Sequence, residues 1–104
     1  TNQSDAVVID NGDTPKIMLN LSYGKNFSID LTSETKINFE LCVQGVELLN
    51  ELQGQTGIIV VKGANKLKTA LGTGFDVRVA LQGLGEFELF SYAVYENKVR
   101  LTRS

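Results

Sequence analysis

The sequence predicts a mainly β domain, and three observations carry that expectation. Apolar and polar residues alternate in strict order at Ile17-Leu19-Leu21-Tyr23, Phe27-Ile29-Leu31, Ile37-Phe39-Leu41 and Phe75-Val77-Val79-Leu81. A period of two places one set of side chains on each face of a strand, which is the pattern of a half-buried sheet. The continuous β-branched run Ile58-Ile59-Val60-Val61 reads as a strand covered on both faces. Between these stretches lie short segments rich in Gly, Asn, Ser and Thr, the residues that turns require.

Taken in order, residues 6–10 form a short apolar strand ending in the turn cluster Asn11-Gly12-Asp13-Thr14-Pro15, where the single proline bars a central strand. Residues 17–23 and 27–31, linked through Gly24-Lys25, read as a hairpin. Thr32-Ser33-Glu34-Thr35 then turns the chain into residues 37–41, completing a three-strand meander with one apolar face. The period changes next: Val43, Val46 and Leu49 are spaced by three, and Leu48 and Leu52 by four, with Gly54 as a stop. This spacing predicts a helix over about 44–53, weakened by Gly45 near its start.

After 58–61, Gly63-Ala64-Asn65 leads to a strand at 67–71, and Gly72-Thr73-Gly74 leads to one at 75–81. Gln82-Gly83-Leu84-Gly85 opens the longest run, 86–95, with Phe87, Leu89, Ala93 and Tyr95 on one face and Phe90, Tyr92 and Val94 on the other. Glu96-Asn97-Lys98 is a hairpin tip, and residues 99–102 close the chain as an edge strand. The expected architecture is a single domain over 1–104, an antiparallel β-sandwich or partly open barrel of eight or nine strands with one short helix plugging an end. An α+β arrangement with the helix packed on one sheet face is the alternative.

Composition narrows the chemistry. The chain of 104 residues has no histidine and one cysteine, which removes Ser-His-Asp and Cys-His catalysis and zinc sites built on His or several Cys. Cys42, set among apolar residues, reads as a buried thiol acting as a small hydrophobe. No apolar run approaches the roughly 20 residues that span a bilayer. Thr1-Asn2-Gln3-Ser4-Asp5 lacks the basic-then-apolar order of a secretory signal, so a cytoplasmic location is the expectation. The formal charge of −2 divides unevenly: residues 1–52 hold eight acids and three bases, residues 53–104 four acids and seven bases.

No motif assigns a catalytic residue, a metal ligand or a cofactor. Gly72-Thr73-Gly74 and Gly83-Leu84-Gly85 lie between strands and read as turns, since neither extends to a phosphate-binding loop. Asp10-Asn11-Gly12-Asp13 lacks the length and terminal glutamate of a calcium loop. Glu86, Glu88 and Asp76 are carboxylates that neighbouring Lys or Arg would neutralise, and Asn20-Leu21-Ser22 and Asn26-Phe27-Ser28 match the glycosylation pattern, which matters only in an exported chain.

The first functional reading is therefore a non-catalytic protein-interaction module, such as an inhibitor or an accessory subunit of a larger assembly. It would hold a protein partner or a second copy through a sheet edge or an apolar face made by Phe90, Tyr92 and Val94 with Arg100 beside it. The alternative is a small OB-like protein binding single-stranded nucleic acid. Lys62, Lys66, Lys68, Arg78, Lys98, Arg100 and Arg103 would then meet phosphates and Tyr95 would stack on a base. A pI near 5.0 argues against that alternative.

Overall fold

The computed structural model describes residues 3–5, 7–9, 13, 15–78 and 80–103. Ala6, Asp10, Asn11, Gly12, Thr14 and Val79, which enter the expectations above, lie outside the described residues. Eight strands form: β1 (Gln3–Asp5), β2 (Val7–Ile9), β3 (Lys16–Leu19), β4 (Asn26–Asp30), β5 (Glu40–Val43), β6 (Thr56–Lys62), β7 (Phe87–Tyr95) and β8 (Lys98–Arg103). Only the six from β3 onward exceed three residues, fewer than the eight or nine strands expected, because the stretches at 67–71 and 75–81 do not form strands. A five-stranded sheet runs in the order β1-β4-β6-β7-β8 and a three-stranded one in the order β2-β3-β5, with no closed barrel. Inward side chains of β3 to β8 form one core.

The expected antiparallel pairing is corrected in three places. β1 with β4, β4 with β6, and β3 with β5 all pair in parallel, so the five-stranded sheet is mixed. The hairpin expected from 17–23 and 27–31 does not form, because β3 and β4 belong to different sheets. At Asn20 the side-chain Oδ1 accepts the Ser22 N–H at 3.0 Å while its carbonyl accepts the Tyr23 N–H at 3.2 Å. That local turn ends β3 early, leaves Tyr23 exposed, and sends the chain to the opposite sheet. β5 then returns to the smaller sheet and β6 to the larger one. Parallel neighbours need such a crossover, and the other sheet supplies it.

Among the described residues no strand forms at 67–71 or 75–81. Residues 66–73 run beside β5 as an irregular cover, with Phe39 N–H bonded to Lys66 O at 3.0 Å and Val43 N–H bonded to Thr73 O at 2.9 Å. Further on, Asp76 Oδ1 accepts the Arg78 N–H at 3.1 Å and bends the chain at the point where the alternation required it to stay straight. Phe75 and Leu81 are buried, but Val77 is exposed. The expected helix is a 3-10 helix, Val46–Leu52, entered through Gly45 at φ 76°. Three residues per turn select the spacing Val46-Leu49-Leu52, of which Leu49 is buried and Leu52 rests against the core.

Two close approaches hold the sheets in this arrangement. Gly57 on β6 lies so near the 20–25 turn that a Cβ there would sit 1.9 Å from Lys25 O and 2.8 Å from Tyr92 Cε2. Beside it, Tyr92 Oη donates to Lys25 O at 2.6 Å, and Gln55 Nε2 donates to Leu21 O at 3.0 Å and to Tyr92 Oη at 3.2 Å. The backbone carbonyls of the turn are thus satisfied from the opposite sheet. At the hairpin tip, Glu96 and Asn97 both have positive φ, 54° and 60°, as a two-residue turn of this hand requires.

Gly57→Ala is expected to lower stability by about 3 kcal/mol, since the new methyl group meets a backbone oxygen that has nowhere to go; chemical denaturation reads the loss. Glu96→Asn is expected to raise the melting temperature slightly, because Asn tolerates left-handed backbone better and the substitution keeps the N–H that Gln53 Oε1 accepts at 2.8 Å. An unchanged or lower melting temperature would show that the Glu96–Arg100 contact outweighs the backbone term.

Candidate functional site

The longest strand decides which surface is available. Along β7, Phe90, Tyr92 and Val94 alternate with Leu89, Ser91 and Ala93, and the first set faces the core, with 0%, 3% and 0% of their surface exposed. The apolar face expected from Phe90, Tyr92 and Val94 is therefore an interior one. Burial also pushes the Tyr92 phenol above its ordinary pKa. Arg100, the fourth residue of that expected surface, stands on the opposite, outward face of β8.

Strand register assembles the outward face of the larger sheet row by row. Asp30, Lys62 and Phe87 form one end. Ser28, Val60 and Leu89 follow, then Ile58, Ser91 and Thr102 with Asn26 alongside, then Thr56, Ala93 and Arg100. Tyr95 and Lys98 close the other end. Ile58, Phe87 and Tyr95 are 41%, 60% and 52% exposed. Across β4, β6, β7 and β8 the rows from Ser28 to Thr102 contain no charged residue, and β1 brings Asp5 into register with Ser28. Their middle is low, because Thr56, Ser91, Ala93 and Thr102 are short, and these residues with Gly57, Ile58 and Arg100 line a shallow depression of about 490 Å³. Asn26 fixes the centre from the side: its Oδ1 accepts the Ile58 N–H at 3.1 Å.

Three arginines at the border of this face are each paired with a carboxylate. Arg78 bonds Asp76 through Nε at 3.0 Å and Nη2 at 2.8 Å, and Arg100 reaches the same carboxylate at 2.8 Å and Glu96 at 3.4 Å. The Arg78 hydrogen bonds hold the Asp76 carboxyl far below the usual range. On the core-facing side of β8, Arg103 grips Glu88 at 2.9 and 2.6 Å and also donates to Gln82 O and Gly83 O. Glu88 accepts the Gly85 N–H at 2.8 Å as well, so its carboxyl too is lowered, first by Arg103 and then by that backbone bond. The 82–85 loop is pinned to β7 and β8 by this one pair.

The eight residues of the nucleic-acid alternative do not come together. Lys62 stands at one end of the outward face, and Tyr95, Lys98 and Arg100 at the other. Lys66 Nζ points into the 31–34 turn, donating to Leu31 O at 2.9 Å, Thr32 O at 3.3 Å and Glu34 O. Lys68 lies 3.9 Å from Glu40, on the side of β5. Arg78 and Arg103 are held as described. Cys42 is buried, its thiol raised by desolvation and by its bond to Glu40, 3.3 Å away. Among the described residues no group of three or more His, Cys, Asp or Glu could hold a metal ion, and no helix is long and apolar enough to cross a membrane.

The chain matches no family model, no curated protein and no solved structure. The residues that sequence reasoning passed over are Asn26, Thr56, Ile58, Val60, Ser91 and Thr102. A signal existed for part of this set: Leu89-Ser91-Ala93 is uncharged on the face opposite Phe90-Tyr92-Val94, and 58–61 carries no polar residue at all.

Both Asp76 and Glu88 have folded pKa values below their unfolded ones, so their contribution to stability is complete above about pH 5 and is lost as pH falls through the folded values. Denaturation midpoints measured from pH 7 to pH 3 are expected to stay level at first and then drop. Glu88→Gln is expected to lower the midpoint at pH 7 and to flatten the acid slope; an acid slope identical to the parent's would remove Glu88 from the account.

Proposed function

We propose that this chain is a non-catalytic protein-interaction domain whose outward face on β4, β6, β7 and β8 is the docking surface. The observation that carries this reading is that across β4, β6, β7 and β8 the central rows, Ser28-Val60-Leu89 and Asn26-Ile58-Ser91-Thr102, hold no charged residue, Asp5 of β1 lying beyond them in register with Ser28. Covering such rows releases water from apolar surface. Arg100 at the border already has Asp76 and Glu96, so it too can be covered without losing its counter-charges. The matching partner is a protein surface that is flat and uncharged. An accessory or inhibitory role in a larger assembly suits a domain that offers one broad face.

Comparison of the parent with Ile58→Glu in cross-linked capture from the native host tests this. A glutamate at the centre of the face is expected to reduce capture at least about tenfold, while Glu47→Lys on the 3-10 helix leaves it unchanged. Equal capture by a folded Ile58→Glu variant rejects the surface. Tyr92→Asp is expected to unfold the domain instead, since Tyr92 is a core residue bonded to Lys25 O and Gln55.

A further inference from the structure

We infer that residues 82–85 form an acid-released lid at one end of the core, with the Glu88–Arg103 pair as its latch. Among the described residues Glu88 is the one charged side chain that is buried, at 9% exposed. Arg103 meets it from β8 through Nε at 2.9 Å and Nη2 at 2.6 Å. The same guanidinium donates to Gln82 O and, at 2.9 Å, to Gly83 O, while Glu88 Oε2 accepts the Gly85 N–H at 2.8 Å. Three points of a four-residue loop are thus tied to one ion pair, and among the described residues no other hydrogen bond joins 82–85 to the molecule. The chain on either side is fixed independently: Leu81 N–H bonds Thr69 O at 2.8 Å, and Glu86 O accepts the Gly63 N–H at 2.6 Å.

Between those anchors little else restrains the loop. A Cβ on Gly83 would meet nothing within 4 Å, and one on Gly85 only Glu88 Oε2 at 3.7 Å. Leu84 is its one apolar side chain and rests against the core. At its root lies a depression of about 180 Å³, lined by Leu81, Phe90 and Leu101 and bordered by Gln82 and Arg103. Lifting the loop therefore uncovers apolar surface, and a segment with so few contacts belongs to the part of a domain that opens first. Because the latch is a carboxylate, protons operate it. In the closed loop Arg103 first, and the Gly85 N–H second, hold the Glu88 carboxyl below its ordinary value; opening removes both and restores that value. The closed form thus binds fewer protons, so closure is favoured above the ordinary carboxylate range and lost as pH falls through the closed-state value. The remaining charges nearby are engaged elsewhere. Val61 is the register partner of Glu88 on β6, and Lys62 beside it faces outward. Lys66, in the 3-10 turn Ala64–Lys66, gives its ammonium to the 31–34 carbonyls, Arg78 and Arg100 bond Asp76, and Glu86 is exposed.

Backbone amide relaxation and hydrogen exchange, followed by NMR from about pH 7 to about pH 2, test the inference. At neutral pH the order parameters of 82–85 are expected to match the rigid value of about 0.85 on β6 and β7; on acidification the loop is expected to fall below about 0.6 while the strands keep theirs. Glu88→Gln, which cannot carry the charge, is expected to loosen the loop already at neutral pH and to speed exchange of the Gly85 amide at least about tenfold. Arg103→Gln repeats the test if Glu88→Gln does not fold. Asp76→Asn, which breaks the separate pairs with Arg78 and Arg100, is expected to leave Gly85 exchange as in the parent. A loop that is mobile at neutral pH, or that keeps its order until β6 and β7 lose theirs in the same step, overturns the lid. Equal effects of Glu88→Gln and Asp76→Asn on Gly85 overturn the latch, since general destabilisation would then account for both.

Discussion

Removal of one face of the β6–β7 pair from water is the constraint on which the rest of the molecule depends. Ile59, Val61, Phe90 and Val94 are fully enclosed on that face, and Phe27 and Ile29 from β4 and Val99 and Leu101 from β8 extend it in both directions. Apolar burial at about 25 cal/mol per Å² is the only favourable contribution large enough to offset ordering of the chain. The smaller sheet exists to supply the cover, through Ile17, Leu19, Leu41 and Val43. The polar contacts then act where the chain passes from one sheet to the other. Gln55 and Tyr92 satisfy the 20–25 turn, Lys66 satisfies the 31–34 turn, and Arg103 with Glu88 holds the 82–85 loop. Each joins two segments that the core alone would leave loosely related.

This division of labour explains why the chemistry of the chain lies at its margins. Cations that a linear reading groups together are distributed by the fold to separate turns and edges, and most are matched to a carboxylate or a set of carbonyls within hydrogen-bond reach. The larger sheet has more strands than the smaller one needs to cover only on the inside, so its reverse side is left with Val, Ile, Leu, Ala, Ser and Thr facing outward. The proposed interaction role rests on that residue set rather than on any single reactive group.

Much of the fold was legible in the sequence, and the gaps have physical causes. Period-two alternation located β4 and the first part of β3, the long apolar run at 86–95 coincides with β7, and the positive-φ pair at residues 96–97 occupies the expected hairpin tip. Alternation reports that one face is buried, and it is equally strong in parallel and antiparallel strands, so it could not reveal that β3 and β4 lie in different sheets. Nor could it resolve β7, where Phe90-Tyr92-Val94 and Phe87-Leu89-Ala93-Tyr95 are both apolar; the larger, more continuous set went inward. At 75–81 the pattern was overruled by one local interaction, the Asp76 carboxylate with the Arg78 N–H. At 43–52 both three- and four-residue spacings were present, and the tighter helix used only the first. The candidate surface was missed for a related reason. Residues 58–61 suggested cover on both sides, whereas Ile58 and Val60 lack it in the single chain.

The order in which strands enter the two sheets has a kinetic corollary. β4 cannot gain its neighbour β6 until the chain has gone out through β5 and the 3-10 helix, and β3 cannot gain β5 until β4 has been threaded between them in sequence. Neither sheet is a self-contained stretch of polypeptide, so no N-terminal or C-terminal half holds a finished unit. Contacts between residues distant along the chain must form before any are rewarded, which places such a topology among slow folders and makes assembly all-or-none. During synthesis the emerging chain would wait, with its oily strands unpaired, until β6 and β7 had left the ribosome.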